Sequence, residues 1–396
     1  MPAGYNLPYP KETKEETEEA MKANRRDRRT NRSVSTAGGR SRALPSDERA
    51  GGELSLLSLI RSRAGQGPGR NVRVGIGDDC SILGVRASEE LAVTTDLSIA
   101  GRHFRLDWHP AESIGHRALA RGLSDLAAMG AGPVAAFLSL GLPRELTRAR
   151  GREPSWISRF YDGLLALADA YETPLAGGDL AESPVAVADI VLVGAMPRGN
   201  ALLRSGARPG DSLYVTGSLG GAAAGLARLA ALAAGAGPPA KPASQPKSRL
   251  KWLRIPGDLQ PELAPHLYPQ PRISQGLWLQ RRGLATAAID LSDGLSTDLA
   301  HLCAESGVAA EVDSALLPVW AGASREQALH GGEDYELLFT APPSARLPKS
   351  IAGVSVTCIG RISRRRKDRP SITLVDTQGR PPRKQPLEPK GWKHFS

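Results

Sequence analysis

No lysine occurs between Lys22 and Lys241, and that gap removes several chemistries from the first half of the chain. A P-loop needs the lysine of G-x-x-x-x-G-K-[ST], a protein-kinase fold needs one on an early strand, and a Schiff-base enzyme needs one as its nucleophile. Cysteine is scarce too: Cys80, Cys303 and Cys358 are too far apart for a disulfide framework or a zinc signature, so a reducing cytoplasm is the expected compartment. No apolar run approaches the roughly 20 residues that cross a bilayer. The N-terminus alternates Lys and Glu without the apolar centre of a secretory signal. Gly75-Ile76-Gly77 never reaches the third glycine of a dinucleotide fingerprint, which leaves a Rossmann site weakly supported. No nucleophile stands beside an evident base.

What the chain does have is room and charge. Its 396 residues, 41% hydrophobic and 23% charged, suffice for two domains with separate cores. The net charge of +10 is unevenly spread: residues 1–50, 238–282 and 361–396 carry +3, +6 and +8, so the remainder is acidic. An acidic body with basic fringes suits cation binding better than a groove for a phosphate backbone. The basic run at Arg365-Arg366-Lys367 lacks interleaved aromatics, which argues against nucleic acid as the main partner. Residues 1–50 hold too few large apolar side chains to fold and read as a disordered basic tail. The folded part is expected as residues 51–197 and 198–396, the second interrupted by a flexible Pro-, Lys- and Ser-rich insertion over 236–270.

Aspartate recurs where secondary structure should end. A strand through Val72, Val74 and Ile76 leads into Gly77-Asp78-Asp79, and a second through Leu91, Ala92 and Val93 delivers Thr94-Thr95-Asp96. A helix from about Pro110 to Met129 contains Ser124-Asp125, poor mid-helix residues within an apolar run. A helix over Ser155–Ala170 carries Tyr161 and Asp162, and a short strand Pro174–Ala176 ends in Gly177-Gly178-Asp179. In the second half a strand ends at Asp290, with Ser292 expected as a helix N-cap and Asp293 in the first turn. Gly331-Gly332-Glu333-Asp334 then opens the strand Leu337–Thr340.

Five positions presenting aspartate beside Gly, Ser or Thr (Asp79, Asp96, Asp125, Asp179, and Asp290 with Asp293) point to a polynuclear magnesium cage holding phosphates. Without lysine, the remaining neutralisation falls to arginine, with Arg204 as candidate. The missing general base fits one reaction in particular. A phosphate monoester is already largely dianionic at neutral pH and attacks a second phosphoryl group unaided, once repulsion between the anions is removed.

The series GIGDDCSIL, VTTDLSIAGRHF, ALARGLSDLAAMGAGP, GGD, LLRSGARPGDSLYVTGSLGGAAAGL, AIDLSDGLSTDLAHL, LHGGEDYELLFT, CIGRI and GWKHF resembles the thiamine-monophosphate kinase family over about residues 52–396. The related aminoimidazole ribonucleotide and selenophosphate synthetases share the aspartates but not the whole series, and the reactive Cys/Sec–Lys segment of the latter has no counterpart before Gly75. The resemblance implies a two-domain α/β (α+β) fold of the aminoimidazole ribonucleotide synthetase type. Its N-terminal domain has a mixed sheet and a dimer interface, and its C-terminal domain is α/β. It implies a cytoplasmic homodimer that phosphorylates thiamine monophosphate with ATP as co-substrate, several Mg²⁺ ions, and K⁺ as a further candidate ion. Carried onto this sequence, it implies magnesium ligation by Asp79, Thr94, Thr95, Asp96, Asp125, Asp179 and Asp290, with Asp293 on a further ion. Tyr161, Gly178, Asp179, Arg204 and Ser292 would contact ATP, and His103, Glu333 and Trp392 the substrate. Leu180-Ala181-Glu182-Ser183 departs from the two threonines the family carries after Gly-Gly-Asp.

Overall fold

The computed structural model describes residues 53–64, 71–149, 153–235, 260–366, 368–378 and 381–391. The tail expected over 1–50, residues 236–259 of the expected insertion, and Trp392 lie outside the described residues. In the first half the order is α1 (Glu53–Arg63), β1 (Val72–Val74), β2 (Ile82–Leu83), β3 (Glu89–Ile99), α2 (Ala111–Met129), β4 (Gly132–Leu142), α3 (Trp156–Ala170), β5 (Leu175–Glu182) and β6 (Val187–Pro197). Next come β7 (Ser212–Thr216), α4 (Gly221–Gly235), α5 (Gln260–Leu267), α6 (Ile273–Arg282), β8 (Ala287–Asp290), α7 (Leu295–Ser306) and β9 (Val308–Asp313). The chain continues with α8 (Arg325–His330), β10 (Leu337–Ala341), β11 (Ser350–Ile351), β12 (Val354–Arg364), β13 (Ile372–Asp376) and β14 (Arg383–Pro386).

Strands β3, β6, β4 and β5 lie in that order in one sheet, in which only β4 and β5 are parallel. The second mixed sheet runs β14-β13-β9-β12-β7-β10-β8, with β11 beside β12 and only β9 and β13 parallel. The expected mixed α/β architecture is therefore present in both halves.

Helix α2 is the hub. It is buried along nearly its whole length, as its Ala- and Leu-rich sequence permits. It stops at Gly130, whose φ of 67° is left-handed and so favours glycine. Neighbouring helices reach it backbone to backbone: a Cβ on Gly115 would sit 1.9 Å from Phe160 O, and one on Gly276 2.0 Å from Ala127 O. Leu119, Leu123 and Leu126 share one core with Phe160 and Leu164 of α3, Leu192 of β6, and Leu337 and Phe339 of β10. One core therefore spans both halves, and a second, around Leu213, Val215, Leu299, Leu302, Ile359 and Ile372, lies within the C-terminal half.

Four local expectations are corrected. Thr94-Thr95-Asp96 does not follow a strand but lies inside one, because β3 pairs with β6 from Glu89 to Ile99 without a break. Gly177-Gly178-Asp179 likewise lies within β5, in register with β4. The insertion expected over 236–270 is helical from Gln260 to Leu267 despite Pro265. Its Leu263 and Leu267, four apart on one face, pack with Leu229 of α4 and Trp108. Finally, Ser292 is not the cap of α7. That helix starts after Gly294, and the Asp298 carboxylate accepts the N–H groups of Asp293 and Gly294 at 3.0 and 2.9 Å.

Candidate active site

Four polar residues on α2, Arg117, Arg121, Ser124 and Asp125, fall at i, i+4, i+7 and i+8, a spacing that lines up one stripe of a helix. Strand β3 faces the same region with Thr94, Asp96 and Ser98, while alternation turns Thr95 to its exposed outer side. Thr94 Oγ1 donates a short hydrogen bond to Asp125 Oδ2. Arg121 Nε lies 3.5 Å from Asp96 Oδ1, and its Nη1 donates to Ser98 Oγ at 3.3 Å. From the second sheet β8 ends at Asp290, which is 2% exposed and accepts from Ser124 Oγ at 2.7 Å. Asp96, Asp125, Asp290, Ser292 and Asp293 thereby line a cavity of about 420 Å³.

The same cavity is also lined by side chains of different chemistry: Phe104, Trp108, His103, His109, His266 and Glu333. His103 Nδ1 accepts from the Ile99 N–H at 3.1 Å, which fixes the ring against the end of β3. Glu333 and Tyr335 have φ of 67° and 50°, a left-handed backbone that costs energy for residues with a Cβ. The strain is held by two bonds, from Glu333 N–H to Ser292 O at 2.8 Å and from Tyr335 N–H to Leu291 O at 2.9 Å. Arg117 Nη2 donates to both Glu333 oxygens, at 2.6 and 2.7 Å.

Burial sets the charge state of the acidic side. It pushes the Asp96 carboxyl up to about 6 against the pull of Arg121. Asp290 rises to about 7, first through burial and then through repulsion from Asp125 and Asp96. Asp125 is raised by burial as well, although Thr94, Arg204 and Arg121 oppose the shift. Behind them Asp298 rises to about 8, through burial and then Asp290 and Asp293. Crowded carboxylates of this kind keep their charge at neutral pH only beside cations.

The sequence-derived residues divide into groups. Asp96, Asp125, Asp290, Ser292, Asp293, His103 and Glu333 meet at the cavity. Thr94 joins them through Asp125, and Arg204 through its electrostatic pull on Asp125 and Asp290. Asp179, with Gly178, sits on β5, and the turn bearing Asp79 docks there through Ser81 Oγ, which donates to Ala176 O. Strands β3 and β5 are separated by β6 and β4, so at about 4.8 Å per strand Asp96 and Asp179 stand roughly 14 Å apart across the sheet. Tyr161 is a core residue, 3% exposed and packed edge to face on Phe160. Trp392 is outside the described residues, but its neighbour Gly391 donates to Thr297 Oγ1 at 3.0 Å, beside the turn of Asp293. Arg117, Arg121, Trp108, His109 and His266 were not singled out from sequence. The stripe on α2 was legible in its four-residue spacing; His266 carried no such signal.

Among the described residues no three His, Cys, Asp or Glu side chains stand close enough to hold one metal ion. The carboxylates offer hard oxygen donors singly and in pairs.

The model of AIR synthase related proteins matches in both halves, its N-terminal domain over residues 77–196 and its C-terminal domain over 208–370. Thiamine-monophosphate kinase of Escherichia coli (strain K12) is 39% identical, over 87% of this chain and 98% of that protein. The crystal structure of thiamine-monophosphate kinase from Stenotrophomonas maltophilia K279a superposes with a TM-score of 0.66 at 37% identity, covering 81% of this chain and 96% of that one. AaThiL complexed with AMPPCP and TMP gives 0.62 at 31% identity, over 90% and 100%. Motif order, fold and near full-length similarity agree: the chain belongs to the thiamine-monophosphate kinase family, within the AIR synthase related proteins.

Proposed function

We propose that this enzyme transfers the γ-phosphoryl group of ATP to thiamine monophosphate, giving thiamine diphosphate and ADP. The observation that carries the reading is the mixed lining of one cavity, which brings Asp96, Asp125, Asp290 and Asp293 together with Phe104, Trp108 and Glu333. An acidic wall suits phosphates accompanied by cations, while aromatic rings and a carboxylate suit a cationic heteroaromatic molecule. No residue has to remove a proton, because the attacking phosphate is already ionised. Arg121 and Arg204 lower the repulsion that the phosphates meet, and Ser292 lies within reach of the same wall.

The donor set fits magnesium. Mg²⁺ is commonly held by one or two carboxylates together with substrate phosphates and water, so it needs no cage of three protein ligands. Asp96, Asp125 and Asp290, with Thr94 orienting Asp125, would hold it, and Asp293 would serve a further ion. When bound, it supplies neutralisation of the phosphate oxygens as the two anions approach. Asp179 and Asp79, at the other edge of the sheet, can share those ions only if edge strands of two copies are brought together. This supports a homodimer paired through its first-domain sheets. A cytoplasmic setting is part of the same reading; among the described residues no helix is long and apolar enough to cross a membrane.

The test is ADP release measured with thiamine monophosphate, thiamine, an aminoimidazole ribonucleotide precursor and selenide in turn, in Mg²⁺ with KCl or NaCl. Turnover with thiamine monophosphate is expected; turnover confined to one of the other acceptors would sink the assignment. Asp96→Asn and Asp125→Asn should abolish it while leaving the fold intact.

A further inference from the structure

Two buried histidines that line the cavity have no part in the chemistry described above. His109 Nε2 lies 3.0 Å from His266 Nε2, so one nitrogen must donate and the other accept. The surroundings decide which. Arg117 Nη1, a donor only, stands 3.1 Å from His266 Nε2. His266 Nε2 must therefore be the bare, accepting nitrogen, and His109 Nε2 must carry the proton. His109 Nδ1 is then unprotonated, and accepts from the Arg105 N–H at 3.1 Å. The proton of His266 is left on Nδ1, a buried atom that lies 3.5 Å from Glu333 Oε2 without a hydrogen bond to it.

The opposite assignment would let His109 Nδ1 donate to Arg105 O at 3.2 Å, but that oxygen already accepts from the N–H of His109 at 2.9 Å. It would also set the Arg117 N–H against the His266 N–H and a bare nitrogen against a carboxylate. Neither ring escapes by becoming charged: burial and then the Arg117 guanidinium push His109 down to about 3 and His266 well below its ordinary range.

We propose that His266 is a positioning residue for the acceptor-binding carboxylate: held as the Nδ1–H tautomer by donors running from Arg105 through His109, it keeps a buried N–H with no hydrogen-bond partner of its own 3.5 Å from Glu333 Oε2, as electrostatic support, while Arg117 grips both Glu333 oxygens. The proposal rests on the reading of the cavity as the thiamine monophosphate site. Glu333 has a strained left-handed backbone and a partly exposed carboxylate, so its direction into the cavity depends on what holds it from behind. His266 reaches it from α5, and Arg117 from α2.

The two functions of the ring can be separated. Glutamine at this position places an acceptor near Nε2, satisfying Arg117 and His109, but leaves no N–H beside Glu333. Asparagine places an N–H near Nδ1 but leaves Arg117 and His109 without their acceptor. His266→Gln should keep the wild-type melting temperature while raising KM for thiamine monophosphate about tenfold, a factor of about 1.4 kcal/mol, with kcat and KM for ATP within a factor of about two. His266→Asn should melt lower yet keep KM for thiamine monophosphate within about threefold. Nitrogen-15 NMR of the wild-type protein should show His266 protonated at Nδ1 and bare at Nε2. Protonation at Nε2, or an unchanged KM in His266→Gln, would overturn the proposal. A wild-type enzyme that releases no ADP with thiamine monophosphate would overturn the activity reading and with it the substrate role of His266, while the tautomer would still be read from the NMR spectrum.

Discussion

Ser124 and Asp290, 166 positions apart in the chain, are joined by a 2.7 Å hydrogen bond from the serine hydroxyl to a carboxylate buried from solvent. The bond fastens helix α2 of the first half to strand β8 of the second. It also brings Asp290 within the repulsive reach of Asp125 and Asp96. The acidic wall is thus assembled against its own electrostatics, and the stability of the ion-free protein should register this.

Asp290 and Asp334 are raised to about 7 and Asp298 to about 8. For these groups the folded state binds more protons than the unfolded chain, and stability falls as pH rises through those values. His109, lowered to about 3, acts oppositely, and its effect is complete above about pH 6.5. In chelator, the melting temperature should therefore fall between about pH 6.5 and 8. Magnesium should weaken the fall. Asp290→Asn should flatten it and stabilise the ion-free protein by on the order of 1 kcal/mol or more. A melting temperature that rises over this window would show that the carboxylates are not crowded in solution.

Asp298 accepts two backbone N–H groups and thereby shapes the turn that presents Ser292 and Asp293. Its raised carboxyl makes asparagine a close mimic near neutral pH. Asp298→Asn should be almost silent in urea unfolding, whereas Asp298→Ala should cost about 1–3 kcal/mol by leaving both donors unsatisfied. The alanine variant should also raise KM for ATP if Ser292, which this turn carries, contacts the nucleotide as the family resemblance implies. Equal unfolding midpoints for the two variants would remove Asp298 from this role.

Much of the site was legible because each conspicuous aspartate broke a local rule. Asp125 interrupts an apolar helix, and Asp290 closes an apolar strand. Thr94 and Asp96 were found but misplaced at a strand's end, because a local reading cannot see that β6 supplies partners for all of β3. Ser292 was assigned the cap that Asp298 supplies from inside the helix. His266 was hidden by composition: proline, serine and lysine around 236–270 resemble a loop, and only the packing of Leu263 and Leu267 on Leu229 and Trp108 makes α5 a helix. The stripe of Arg117 and Arg121 is readable from its spacing to Ser124 and Asp125, which were singled out alone.

Helix α6 docks on α2 with no side chain between them at Gly276, where a Cβ would meet Ala127 O at 2.0 Å. Backbone cannot retreat as a flexible side chain can. Gly276→Ala should cost more than about 3 kcal/mol and lower turnover by shifting α2 and its polar stripe. Gly235, at the end of α4 with open space around it, is the control: Gly235→Ala should leave the melting temperature unchanged or slightly raised. If both alanine variants melt like wild type, the helix contact is looser than described.

Strand β3 leaves one face uncovered, with Leu91, Val93 and Leu97 exposed by 49%, 63% and 47%. It is also an edge of its sheet. An edge strand with an apolar face invites pairing with another chain unless charge or proline blunts it, and between Leu91 and Leu97 the outward positions carry neither. Pairing the first-domain sheets of two copies would cover that face and give Asp96 of one copy access to Asp179 of the other, which a single sheet keeps apart. Val93→Arg should therefore convert a dimer into a monomer in analytical ultracentrifugation, and should weaken magnesium-dependent ATP turnover together with dimerisation as protein concentration is lowered. A wild-type monomer with full activity at every concentration would mean that each cavity is complete within one chain, with Asp179 and Asp79 outside the catalytic ion set.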